Sequence, residues 1–94
     1  MPFPQQTPHF YDRANVNALE PNQMGVYGLF LYGRCIYVGK GDIRKRLLDH
    51  LNYDNPCITR EQSTHWVHEV TADMDTRERQ LILELDPVCN QRDG

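Results

Sequence analysis

The stretch 25–40, GVYGLFLYGRCIYVGK, decides the fold. Gly25 to Leu31 is rich in Val, Tyr, Leu and Phe, Gly33 interrupts it, and Cys35 to Val38 resumes the same character, which predicts a β-hairpin. Its turn sets the register. A three-residue turn of Tyr32, Gly33 and Arg34 pairs odd positions with odd and puts Tyr27 and Tyr37 on one face of the sheet, whereas a two-residue turn puts them on opposite faces. Tyrosines in strands are most often packing residues with a hydrogen-bonded tip, so by themselves the two define no site.

Downstream, Gly39, Lys40 and Gly41 end the second strand, and Asp42 is placed to cap a helix from about Ile43 to Leu51 with Ile43, Leu47, Leu48 and Leu51 as its apolar stripe. Asn52 to Ser63 is polar and broken by Pro56, which predicts a loop, and Thr64 to Val70 carries the Trp and Val of a third strand. Asp75 followed by Glu78 resembles a capping box opening a second helix through about Leu85, closed by Pro87. Upstream, Glu20 to Gln23 reads as a turn. Residues 1 to 18, with prolines at 2, 4 and 8, read as an extended arm with a helical turn near Asp12 to Leu19. The order β, β, α, β, α is that of an α/β (α+β) domain over residues 19–94.

The 94 residues leave room for one modest core, and 39% apolar residues with nine aromatics exclude a disordered tail. No run approaches a membrane span, and Met1 to Phe10 has no basic or apolar export signal, so a cytoplasmic setting is expected. Cys35, Cys57 and Cys89 are odd in number and lack a CxxC pair, which predicts reduced thiols rather than a disulfide or zinc site. The net charge of −3 opposes wholesale attraction to nucleic acid, yet Arg34, Lys40, Arg44, Lys45 and Arg46 put half of the ten basic residues within thirteen positions. Glu69, Asp73, Asp75, Glu84, Asp86 and Asp93 lie elsewhere in the chain, so a basic face on an acidic protein is expected.

Glu78 falls on the same helical face as Leu81 and Ile82, so its carboxylate points to the core or its rim. There it needs a cation, a metal or a donor to offset desolvation, unless it only completes the capping box. Arg46 and His50, four residues apart, share a face beside the first helix's apolar stripe. A guanidinium next to an imidazole suits phosphate binding and its developing charge, although the pair also fits an ordinary solvated flank. His65 and His68 point to opposite faces of their strand with no third ligand in range, so they are not read as a metal site. The Gly39-Lys40-Gly41 triplet lacks the remainder of a nucleotide-binding phosphate loop.

Taken in order, these residues resemble one pattern, that of the GIY-YIG nuclease family. Gly25-Val26-Tyr27 matches the first triplet, Tyr37-Val38-Gly39 the second about ten residues on, and Lys40 follows as in bacterial excision-repair members. Arg46 matches the family arginine, His50 the His or Tyr one turn later, and Glu78, Leu81, Ile82, Pro87 and Asn90 the closing motif. The resemblance covers roughly residues 19 to 91. It implies a small three-stranded antiparallel sheet flanked by helices, and a metal-dependent endonuclease acting on nucleic acid, most often DNA. By the same resemblance Glu78 holds one Mg²⁺ or Mn²⁺, and Arg46 stabilises charge on the phosphoryl oxygens. Tyr27 positions or deprotonates the attacking water, with Tyr37, Lys40 and His50 orienting water or phosphate. Lys40, Arg44, Lys45 and Arg46 are the expected nucleic-acid contacts, and Gly25, Gly39 and Asn90 are structural. A phenol ordinarily ionises near pH 10, so a tyrosine base requires a nearby cation, and Lys40 and Arg46 are the candidates. The separate DNA-binding element typical of family enzymes is not visible, which leaves extra DNA contacts to a protein partner or self-association. The rival reading is a catalytically inactive binding module that keeps the fold.

Overall fold

The computed structural model describes residues 3–4 and 6–90, so Asp93 and the rest of 91–94 lie outside the described residues. In chain order the elements are β1 (His9–Phe10), α1 (Arg13–Asn17), β2 (Met24–Leu31), β3 (Arg34–Asp42), α2 (Ile43–Leu51), α3 (Pro56–Glu61), β4 (His65–Val70) and α4 (Met74–Leu85), then a 3-10 turn at Val88–Asn90. The strands form one antiparallel sheet in the order β1-β4-β2-β3. The α+β architecture is as expected, with four strands rather than three because the two-residue β1 adds to the free edge of β4.

The hairpin register has an unexpected origin. Its turn is the two-residue Tyr32–Gly33, both at positive φ (50° and 81°), the arrangement that matches strand twist in tight hairpins. Phe30 pairs with Cys35 but Leu29 pairs with Tyr37, so a bulge absorbs Ile36 and shifts the ladder by one residue. Tyr27 then faces Gly39, odd against odd. The two tyrosines share a face, through a bulge and not through the turn length.

Each face of the sheet buries its own core. On one side Val16, Tyr27, Leu29, Ile36, Ile43, Leu47, Ile58 and Trp66 pack between the sheet and α1, α2 and α3. On the other, Phe3, Val26, Val38 and Val67 meet Leu81 of α4, with Met74, Ile82 and Leu85 at the margin. The residues expected as an extended arm contribute to both cores through Phe3 and Val16, and only the α1 turn follows the sequence reading closely.

Both sheet edges are closed by side-chain amides. Gln6 accepts from the His68 N–H at 3.1 Å and donates to the His68 carbonyl at 2.8 Å. Asn90 does the same to Val38 of β3, at 2.7 and 2.9 Å. Each amide supplies the donor and acceptor of a missing neighbouring strand.

Three local expectations are corrected. Asn52 to Ser63 is not all loop: Asn55 caps α3 by accepting from the N–H groups of Cys57 and Ile58, and Pro56 sits in the first turn where its missing N–H costs nothing. The second long helix begins one residue before Asp75, with Asp73 as N-cap and no side-chain capping bond, so Asp75 lies inside the first turn, where its carboxylate is engaged by Lys40. Cys57 and Cys89 are not reduced thiols but a disulfide, with Cα atoms 5.7 Å apart, which fastens α3 to the 3-10 turn. Cys35 is free and buried, and burial pushes its thiol up to about 12.

Candidate active site

Tyr27 is wholly buried, and its ring lies across the backbone of its cross-strand partner Gly39. A Cβ there would fall well inside van der Waals contact with the Tyr27 hydroxyl and the ring carbon bearing it, which is why this position takes no side chain. Gly25 is required for a similar reason, since a Cβ would run into the Glu69 backbone of β4. Asn90 acts on the middle residue of the Tyr37-Val38-Gly39 triplet, clamping the edge strand that carries it.

Four of the expected site residues come together on the α2 side of the hairpin. The Tyr27 hydroxyl is 2.7 Å from His50 Nε2, and the Tyr27 and Tyr37 rings are 6.2 Å apart. The Tyr37 and His50 rings meet in a T-shaped arrangement with centroids 5.2 Å apart. Arg46, one turn before His50, runs past Gly41 and sits close enough to Tyr27 to influence its ionisation. The helical spacing of Arg46 and His50 puts both against the tyrosine face of the sheet, as their shared face predicted.

One residue of this cluster was absent from the sequence reading. His50 Nδ1 lies 2.7 Å from Asp54 Oδ1, and the other Asp54 oxygen is 3.9 Å from Arg46 Nη1. Asp54 stands beyond the end of α2, and Tyr53, at φ 66°, turns the chain back so that the carboxylate reaches the helix. The i,i+4 spacing from His50 is the only trace of this contact in the sequence, and the left-handed residue between them hides it.

The ionisation states correct a further expectation, that a nearby cation brings the Tyr27 phenol down. Burial raises the Tyr27 phenol well above its ordinary value, with Tyr37 adding to the rise and Arg46 opposing it without prevailing; Lys40 is not among the groups acting on it. Tyr27 is therefore a neutral phenol near pH 7. Burial likewise lowers His50, against the pull of Asp54, so the imidazole is neutral and able to accept a proton.

Glu78 and Lys40 form a second group on the α4 side. Lys40 pairs with Val26 across the hairpin, so it projects to the opposite face from Tyr27, where it makes a close ion pair with Asp75 and a looser one, 3.7 Å, with Glu78. Both groups meet β3 at its Gly39–Gly41 end. Glu78 sits on the rim, with 24% of its side chain exposed, beneath an open cleft lined by Lys40, Asp75, Glu78, Arg79 and Ile82. The described residues bring the two tyrosines, Arg46 and His50 into contact and leave Glu78 with Lys40 across the edge strand.

The expected basic face is largely neutralised. Lys45 pairs with Asp49, Arg46 with Asp49 and Asp54, and Lys40 with Asp75 and Glu78. Among the described residues Arg44 reaches the Asn17 amide oxygen, at 3.4 Å, and no carboxylate. Acidic residues that sequence distance placed elsewhere, Asp75 above all, are folded in among the cations.

No group of three or more His, Cys, Asp or Glu side chains able to hold a metal occurs among the described residues. The donors present nonetheless fit a divalent ion of the magnesium type, which is commonly held by one or two carboxylates with water and substrate phosphate completing its shell. Glu78 is partly exposed, loosely paired and open to a cleft, which suits that role.

No family pattern and no curated protein matches the chain. Solved structures do, among them two of the GIY-YIG N-terminal endonuclease domain of UvrC from Thermotoga maritima, each a tyrosine-to-phenylalanine variant bound to its catalytic divalent cation. They are 28% and 27% identical to this chain, and each match covers 85% of it and 94% of the other, with a TM-score of 0.70. The likeness covers most of the molecule. The resemblance first carried by two tyrosine triplets is thus matched in three dimensions, and the chain has the fold of a GIY-YIG endonuclease domain.

Proposed function

We propose that the protein is a metal-dependent endonuclease that hydrolyses phosphodiester bonds in nucleic acid, with DNA as the preferred substrate. The observation that carries the reading is the Tyr27 hydroxyl held 2.7 Å from a neutral His50 imidazole, beside Arg46, on a fold shared with a cation-bound endonuclease domain. In this reading substrate binding uncovers the buried Tyr27 hydroxyl, which then positions the attacking water and passes its own proton to His50 as it takes one from that water. Arg46 meets the charge gathering on the non-bridging phosphoryl oxygens, where a pre-set guanidinium is worth more than in water. Tyr37 walls the pocket and orients Tyr27 and His50 through ring contacts. Glu78 would hold one Mg²⁺ or Mn²⁺, which when bound supplies Lewis-acid stabilisation of the leaving oxygen. Lys40 and Arg44 bind backbone phosphates, with Lys45 and Arg46 joining as their carboxylate partners exchange for phosphate. Gly25, Gly39 and Asn90 hold the hairpin in shape.

The net charge of −3 and the paired cations predict weak, salt-sensitive binding, with further DNA contacts drawn from a protein partner or from self-association. The chain has no helix long and apolar enough to cross a membrane among its described residues. A cytoplasmic setting remains part of the proposal, and the Cys57–Cys89 disulfide is the feature that speaks against it.

A second reading has one observation in its favour. Glu78 and the tyrosine cluster lie on opposite faces of β3, as they would in a binding module that kept the fold and lost turnover. Plasmid, flapped and single-stranded substrates incubated with Mg²⁺, with Mn²⁺ and with EDTA separate the two. Cleavage that appears with either metal and vanishes with EDTA supports the nuclease. Retention of nucleic acid without cleavage under any metal contradicts it and supports the module.

A further inference from the structure

Within the cluster, the groups facing His50 are Tyr27 and Tyr37 from the hairpin, Arg46 and Asp49 from its own helix, and Asp54 from the turn that follows. Tyr11 packs nearby, but its hydroxyl donates to the Leu47 carbonyl at 2.7 Å and is occupied there. Among the described residues two of these groups bond the ring, one at each nitrogen. Asp54, as a carboxylate, has no proton to give and accepts only, so the ring nitrogen it meets must carry the hydrogen. With Nδ1 protonated and the ring neutral, Nε2 presents a lone pair, and the Tyr27 hydroxyl 2.7 Å away must be its donor.

Asp54 is itself held in place. Arg46 Nη1 approaches its second oxygen at 3.9 Å, and the Asp54 N–H reaches the Asp49 carbonyl at 3.4 Å. Tyr53, in a left-handed conformation with a mostly exposed ring, makes the reversal that delivers the carboxylate to the end of α2.

We propose that Asp54 is a positioning residue that fixes His50 in its Nδ1–H tautomer, so that Nε2 is the acceptor of the Tyr27 proton. A neutral histidine with the opposite tautomer would present an N–H to the phenol and could not take its proton. In the reaction, which rests on the nuclease reading above, the attacking water forms a P–O bond and yields its proton to the Tyr27 oxygen. The Tyr27 proton passes to His50 Nε2, and the P–O bond to the leaving oxygen breaks. The imidazolium, stabilised by Asp54, then returns a proton to solvent, while the leaving oxygen takes one from solvent. Charge and protons balance, and no oxidant or further reactant enters.

The test is made on the full chain. Long-range ¹H–¹⁵N spectra of the four histidines read the tautomer of His50 directly, and cleavage kinetics read its consequence. Wild type should show the proton on Nδ1, and Asp54→Asn, which has nearly the same shape, should give mixed or reversed tautomers. In the same variant kcat should fall about 100-fold or more with KM nearly unchanged, as for loss of an aligned proton acceptor. Asp54→Glu should recover part of both. A wild-type proton on Nε2, or an Asp54→Asn chain with the same tautomer and full kcat, overturns the proposal. A wild type with the predicted tautomer that cleaves nothing in any metal upholds the hold of Asp54 on His50 and overturns the nuclease reading instead.

Discussion

Gly39 lies beneath the Tyr27 ring, and the fit is close enough that the two positions behave as one unit. Gly39→Ala must push the phenol away from His50 Nε2 or distort the edge strand. We expect a loss of about 1–3 kcal/mol, the usual cost of overpacking a tight core, in urea unfolding. Cleavage should drop further than stability explains, because the 2.7 Å contact is lost. An unchanged midpoint with unchanged cleavage would mean that Tyr27 is not held as described. At this scale the sequence exposed most of the site: Tyr27, Tyr37, Arg46 and His50 stood in a recognisable order, and the structure brings them together. Asp54 stayed hidden because a left-handed Tyr53, which no propensity favours, carries it back to the helix. The raised ionisation of Tyr27 was equally out of reach, since burial is a property of the packed chain and not of the residue.

Among the elements, the edge strand β3 matters most, because it carries Tyr37, Gly39 and Lys40 and has no strand on its outer side among the described residues. Asn90 stands in for that strand with two hydrogen bonds to Val38. Asn90→Ala leaves both backbone groups without their partners, and should destabilise by about 1–3 kcal/mol at roughly 1 kcal/mol per bond. Hydrogen exchange at the Val38 amide should quicken in the same variant; protection equal to wild type would show that the clamp contributes nothing. The strands, the turn near Asp42 and the two longer helices were legible from alternation, glycine breaks and apolar stripes. The bulge at Ile36 was not, since no residue type announces it, and it alone reconciles a two-residue turn with tyrosines on one face. Helix α3 was hidden by Pro56, read as a breaker although it occupies the first turn.

For the molecule as a whole, two cores on opposite faces of one sheet must be closed by a chain of 94 residues, and the first residues help to do it through Phe3 and Gln6. Neither contribution was legible, because an isolated Phe among prolines has no periodicity. The Cys57–Cys89 bond was unreadable for a related reason: its partners are 32 residues apart and meet only once α3 and the last turn have packed. Buried histidines also couple the whole fold to pH. His50 is lowered by burial, and so is His68, by burial and then by the charge of His9. A depressed histidine binds its proton more readily when the chain unfolds, so the unfolded state gains protons first as pH falls below 6.5. Stability is therefore full above that value and declines as the pH drops from it toward the lower folded values. The urea midpoint should fall between pH 7 and pH 5, and His50→Gln should reduce the slope; a midpoint that rises over this range would refute the burial of neutral imidazoles.

Glu78 is the residue on which the catalytic account turns, since it alone stands where the closing motif, the cleft and the donor chemistry coincide, and yet it lies across β3 from the tyrosines. The direct test is the rate of plasmid cleavage by wild type and Glu78→Ala in saturating Mg²⁺ or Mn²⁺, with circular dichroism and the thermal midpoint recorded on both proteins. The account predicts metal-dependent cleavage by the wild type, a loss of at least about 100-fold in the variant, comparable to removing one strong source of transition-state charge stabilisation, and near-identical spectra. A folded Glu78→Ala chain that cuts at the wild-type rate would contradict it.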